Sequence, residues 1–194
     1  AEGHKLVGDL LGHFPCKLLI ATSNWLKMNH SATANEIIEV TQEELSRASL
    51  QKTPQEVLAV FVQPSYDLNP EVIKSSLCLA LDDVQDPGNL GTIIRLADWF
   101  GIEHIFCSTG TADVYNPKTV QATMGALARV KVHYCSLPQL IESLTDIPVY
   151  GTFLNGNIIY AESLSAHGLI VMGNEGKGVS PEVERPVSYT HLRA

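Results

Sequence analysis

No run of roughly 20 apolar residues occurs in this 194-residue sequence, so nothing in it has the length of a membrane-spanning helix. Cysteine is sparse and scattered: Cys16, Cys78, Cys107 and Cys135 form no C-x-x-C pair, which excludes the common zinc and dithiol motifs. Four isolated thiols in or beside apolar segments read as buried and reduced, the state expected of a cytoplasmic protein. Seven histidines show no H-E-x-x-H or related ligand spacing, so no metal is expected. Positive charge is also short, 13 Lys and Arg against 21 Asp and Glu, for a net charge of −8. That is awkward for a nucleic-acid binder, since a non-specific one should carry a basic face. Local patches remain: Arg129 and Lys131 with His133, or Lys118, Lys177 and Arg185, each of which can equally be solvated surface. The phosphate-loop spacing G-x-x-x-x-G-K-[ST] is missing, and so is a G-x-G-x-x-G fingerprint after a strand. The opening Ala1-Glu2-Gly3-His4-Lys5 is not a signal peptide, and the sequence reads as part of a longer chain.

What is present is ordinary globular material, 45% hydrophobic and 18% charged. In the first part, 17–22 reads as a strand, Ser23 to Lys27 as a helix start and 36–40 as a second strand. Thr41-Gln42-Glu43-Glu44 has the capping-box pattern, and 57–62 is a buried strand. Two prolines and small polar residues across Gln63 to Pro70 mark a boundary, dividing the chain into residues 1–68 and 69–186. The second part alternates: strand 77–82, helix 89–100, strand 104–108, helix 117–124, strand 129–134, helix 137–144, then strands 148–153 and 168–172. Such βα alternation implies an α/β domain with a mostly parallel sheet.

The densest information lies in Asp86-Pro87-Gly88-Asn89-Leu90-Gly91-Thr92-Ile93-Ile94-Arg95. Asp-Pro-Gly-Asn is turn chemistry, and Leu90, Ile93, Ile94 and Ala97 then recur at helical spacing. One amide, Asn89, and one guanidinium, Arg95, are thus held beyond the carboxyl end of an apolar strand, where open α/β sheets place their ligands. Gly168 to Met172 is a second buried strand, opening into Gly173-Asn174-Glu175-Gly176-Lys177-Gly178. Its glycines let backbone approach a ligand closely. Thr123-Met124-Gly125-Ala126 closes a helix, and Val149 to Gly156 reads as a strand running into a polar turn.

In order and spacing, Pro87-Gly88-Asn89-Leu90-Gly91 with Arg95, followed by Met172-Gly173-Asn174-Glu175-Gly176, resembles the first two signature motifs of the SpoU (TrmH-type) RNA 2′-O-ribose methyltransferases. Thr123 to Ala126 falls between them as in that family, and the N-terminal unit resembles the RNA-substrate-binding domain often fused to it. The resemblance implies a SPOUT-type α/β domain with a trefoil knot, S-adenosylmethionine as methyl donor, tRNA or rRNA as substrate, and a homodimer. It implies Arg95, Asn89 and Glu175 as catalytic residues. It places the cofactor against Thr152, Leu154, Asn155 and Gly156 and against Met172, Gly173, Asn174 and Gly176.

A third motif of the family, a proline-rich turn followed by Ser-Leu-Asn, does not follow Pro186. Residues 187–194 read as a non-native tail to be left out of fold reasoning. The expectation is an incomplete knot and cofactor pocket, weak S-adenosylmethionine binding, and low or absent activity of the chain as given. Two other readings remain: a non-catalytic RNA-binding protein that keeps the methyltransferase fold, and a nucleotide-binding metabolic enzyme, against which the missing phosphate loops count.

Overall fold

In the computed structural model, residues 1–161, 163–187 and 190–193 are described, with side chains for all of these except 154–156, 161 and 190–193. The first helix, α1 (His4–Leu10), buries Leu6, Val7 and Leu10. Strand β1 (Cys16–Thr22) runs into α2 (Ser23–Met28), whose cap is the Thr22 hydroxyl accepting from the Trp25 N–H. Strand β2 (Glu36–Val40) leads to α3 (Gln42–Ala48), which opens with the expected capping box between Thr41 and Glu44. Strand β3 (Val57–Phe61) completes a three-stranded sheet in the order β2-β1-β3, parallel to β2 and antiparallel to β3. Leu19, Ala21, Trp25, Val57 and Ala59 form its core with Val7.

The second part supplies β4 (Leu77–Leu81), α4 (Pro87–Trp99), β5 (His104–Cys107), α5 (Pro117–Ala122), β6 (Lys131–Tyr134) and α6 (Leu137–Ser143). Then come β7 (Val149–Ile158), β8 (Gly168–Met172), α7 (Pro181–Glu184) and β9 (Thr190–Arg193). The six strands order as β6-β5-β4-β8-β7-β9, every pair parallel, as the βα alternation predicts. Alternate residues of β4 serve opposite faces. Leu79 and Leu81 pack with Leu90, Ile94 and Ala97 of α4, while Cys78 and Ala80 pack with Leu137, Leu140 and Ile141 of α6. Leu6 and Leu10 of α1 join the α4 side, tying the first unit to the second.

Two details depart from the sequence expectation. Strand β7 continues through Ile158 instead of turning after 153, because β9 gives its backbone a hydrogen-bonding partner at Tyr150–Thr152 and again at Asn157–Ile158. Thr190–Arg193, set aside as tail, is that partner, and Val187 before it is buried among the α6-side core residues.

Connectivity fixes where a ligand can sit. From β4 the chain steps outward to β5 and β6, then crosses to β7 and returns to insert β8 beside β4. The loops after β4 and β8 therefore diverge from adjacent strand ends, which is the switch-point crevice of an open parallel sheet.

Candidate active site

Helix α4 starts where it does because Asp86 caps it. The Asp86 Oδ1 accepts from the Asn89 N–H at 2.9 Å, and Pro87 takes the first helical position, where no N–H is needed. This orients Asn89 outward over the crevice. Its Nδ2 donates to Glu175 Oε1 at 2.9 Å, joining the loop after β4 to the loop after β8. Asn89 is the first cause, and the loop's own N–H groups a further one, of a Glu175 carboxyl held below the usual range. The same holds for Asp86, where the Lys118 ammonium 2.8 Å away is the leading cause.

The loop from Gly173 to Ser180 is folded back on itself. Asn174 and Gly178 exchange backbone hydrogen bonds at 2.9 Å, and Asn174 Oδ1 accepts from the N–H groups of Gly176 and Lys177. A Cβ at Gly173 would lie 2.1 Å from the Gly178 carbonyl carbon, so glycine is required there. Two further bonds fasten this loop to the strand β4 end. Asn174 Nδ2 donates to the Asp83 carbonyl at 2.7 Å, and the Ser180 N–H donates to the buried Asp82 carboxylate at 2.8 Å.

Asp82 is absent from the residues singled out by sequence, and Asp86 is read there as a turn residue and not as a helix cap. The signals were present: two acids ending an apolar strand need partners if buried, and an acid before Pro is a helix cap.

A cleft of about 220 Å³ opens at this junction, lined by Val84, Asn89, Thr92, Ile93, Met172, Gly173 and Glu175. Thr152 follows Gly151, which pairs with Val171 of β8, and its hydroxyl donates to the Val171 carbonyl at 3.1 Å. The expected Leu154, Asn155 and Gly156 lie outside the residues whose side chains are described.

The structure thus brings together Asn89, Glu175, Met172, Gly173 and Asn174. Arg95 is not among them. It lies six residues beyond Asn89, about 9 Å along the helix and turned by roughly 120°. It is exposed, and among the described residues it has no ion-pair partner. The suggested basic patch at 129–133 also dissolves. Arg129 is held by both oxygens of Asp98 at 2.7 Å, and His133 is buried against Phe106 and His104.

A six-stranded parallel sheet with an amide and a carboxylate paired at its switch point belongs to the open α/β class, in which small ligands sit beyond the strand ends. Residues 76–191 match the SpoU rRNA Methylase family, and residues 1–59 match the MRM3-like substrate binding domain. The chain belongs to the SpoU rRNA Methylase family. It is 34% identical over 143 residues to the 23S rRNA (guanosine(2553)-2'-O)-methyltransferase RlmP of Bacillus subtilis, covering 72% of this chain and 56% of that protein. It is 30% identical over 140 residues to the human mitochondrial rRNA methyltransferase 3, covering 68% and 33%. The chain therefore spans between a third and just over half of these curated relatives. Among solved structures, a TrmH-family protein from Porphyromonas gingivalis superposes with a TM-score of 0.90 at 42% identity, over 100% of this chain and 78% of that one. An AdoMet-bound rRNA methyltransferase from Sinorhizobium meliloti gives 0.81 at 30% identity, over 100% and 76%.

Proposed function

We propose that the protein methylates a ribose 2′-OH in ribosomal RNA with S-adenosylmethionine as donor. The observation that carries this is the Asn89–Glu175 bond at the β4/β8 switch point, in a chain of this family. Residues 1–68 serve as the RNA-gripping unit and residues 69–186 as the catalytic unit.

The end of β8 suits such a cofactor: Met172 offers an apolar, polarisable surface, Gly173 presents bare backbone, and Thr152 and Asn174 stand beside them. These residues, with Leu154, Asn155, Gly156 and Gly176, would hold the donor. When bound, S-adenosylmethionine supplies an electrophilic methyl group on a sulfonium centre.

The protein's part is alignment and charge. Attack by the 2′ oxygen needs in-line geometry, which the fixed Asn89–Glu175 pair helps to set. Negative charge grows on that oxygen as its proton leaves, and Arg95, permanently cationic, stabilises it. Glu175 is ionised and bonded to Asn89, so it is a weak proton acceptor at neutral pH. Its role is to position, and the proton passes to water or to a phosphate oxygen of the RNA.

Arg95 points away from Asn89 in its own protomer, and the same helix with its C-cap Phe100 exposes Leu96, Trp99 and Phe100. Trp99 is 84% exposed, which an isolated surface helix rarely tolerates beside two other large apolar groups. Both facts favour a homodimer in which α4 faces a second copy and Arg95 serves a site shared between protomers. The unpaired thiols of Cys16, Cys78, Cys107 and Cys135 suit a cytoplasmic setting.

The test is transfer of labelled methyl from S-adenosylmethionine to undermodified rRNA, with 2′-O-methyl mapping of the product. Label in a ribose 2′ position supports the reading. RNA binding without transfer, under conditions where cofactor binds, would favour the non-catalytic alternative.

A further inference from the structure

A second, larger cleft of about 780 Å³ lies between the three-stranded unit and α5. One wall is apolar, with Leu50, Leu58 and Val60, and the facing wall carries Gly88, Lys118 and Gln121. Its size falls within the range of specific small-ligand sites.

Lys118 gives the cleft its chemistry. Its ammonium lies 2.8 Å from Asp86 Oδ2, and its side chain is 63% exposed. Its stem passes over Gly88, where a Cβ would come 3.3 Å from the Lys118 Cε. The ammonium therefore stands at the start of the helix that carries Asn89 and Arg95. Gly88 and Arg95 are seven residues apart, so they share one face of α4 about 10 Å apart along its axis. Lys118 and Arg95 thus form a short cationic row on a protein of net charge −8. The Asp86–Lys118 pair is exposed and easily exchanged, since such pairs contribute little to stability. A phosphate could replace the Asp86 carboxylate at Lys118 while Asp86 kept its other oxygen on the Asn89 N–H.

We infer that this cleft holds a nucleotide flanking the target ribose. Lys118 transfers from Asp86 to that nucleotide's phosphate, and its base lies against Leu50, Leu58 and Val60. Gln121 offers an amide to a base edge. The inference rests on the RNA-methyltransferase reading and adds to it a subsite outside the Asn89–Glu175 crevice.

Binding of deproteinised rRNA is measured by filter retention over a salt series, with thermal melting of every variant. In Lys118→Met the affinity falls several-fold, and the slope of log affinity against log salt drops by roughly 0.7, the loss of one phosphate contact. Asp86→Asn keeps the helix cap, frees Lys118 and raises affinity at low salt, and this gain vanishes in the Asp86→Asn/Lys118→Met double variant. Val60→Trp fills the cleft and lowers affinity with the salt slope unchanged. If the ion pair only braces the fold, Lys118→Met and Asp86→Asn both lower the melting temperature while the salt slope stays at the wild-type value; that result overturns the inference. Wild-type protein that neither binds nor methylates rRNA overturns the underlying reading instead.

Discussion

Asn89 and Glu175, 86 residues apart in the chain, meet through one hydrogen bond of 2.9 Å across the crevice between β4 and β8. The two loops they join are otherwise held by Asp82 to Ser180 and by Asn174 to the Asp83 carbonyl. The two loops therefore stay joined without the Asn89–Glu175 bond.

Asn89→Ala and Glu175→Ala should each reduce methyl transfer by at least about tenfold while changing stability by under about 1 kcal/mol, because both residues are exposed. A double-variant cycle on transfer rate should be strongly non-additive. Additive losses would show that the two residues act separately.

Gly173→Ala should destabilise the protein by about 1–3 kcal/mol, since its Cβ would overlap the backbone of Gly178 and Val179. Denaturant unfolding measures the first effect. Calorimetry should show loss of S-adenosylmethionine affinity beyond that of a stability-matched variant elsewhere.

Arg95→Ala should abolish detectable transfer while leaving cofactor binding and melting temperature near wild type, because Arg95 touches neither the crevice nor another charged group among the described residues. Arg95→Lys should restore only part of the rate, since an ammonium lacks the planar fork. Full activity in Arg95→Ala would remove it from the mechanism.

The exposed Trp99 and Phe100 give a test of the homodimer. Trp99→Glu should shift the protein to monomer in sedimentation velocity and lower transfer, leaving far-ultraviolet circular dichroism unchanged. A wild-type protein that is monomeric at micromolar concentration would end the dimer proposal.

Acid should weaken the fold through one pair of rings. His133 lies stacked on Phe106 and against His104, whose Nδ1 is 3.1 Å from His133 Nε2, while Tyr66 of the connecting segment tilts over it. Burial is the main cause that lowers both histidines below the usual value; at His133 the neighbouring His104 and then Lys131 add to it, and at His104 Lys131 adds to it while Glu103 opposes it. The neutral forms are favoured when folded, so the unfolded chain binds more protons at intermediate pH. The stabilisation is complete above about pH 6.5 and is lost as pH falls through the lower folded values. Unfolding free energy measured against pH should decline below that point, and His133→Phe should flatten the decline.

What could be read from sequence was local. Thr41 and Glu44 announce α3 within four residues, and the Asp-Pro-Gly-Asn turn with the Leu90/Ile94/Ala97 stripe announces α4, although the helix starts at Pro87 and not at Asn89. The strand order could not be read that way, and everything depending on it was hidden. Asp82 meets Ser180 only because β8 inserts beside β4, and His133 is a core residue only because β6 lies beside β5. Gly91 belongs to the motif read from sequence, but its packing reason was hidden: it lets α5 approach so closely that a Cβ there would lie 2.5 Å from that of Ala122. Strand β9 lay in residues set aside, and a strand that pairs only at a sheet edge leaves little pattern of its own.

The insertion of β8 between β4 and β7 also sets the order in which the molecule can be completed. As the chain is made, β4, β5 and β6 can pair at once, but β4 keeps one open edge until Gly168–Met172 emerges. Through that interval β7 has no neighbour to join, and the crevice has one wall. A nascent chain halted before residue 168 thus presents an unpaired interior strand, a form suited to aggregation or chaperone capture. The Asn89–Glu175 pair and the closing of the β4 edge arrive together, so the chain can bring these two loops into contact only at the point where it also covers its open interior strand.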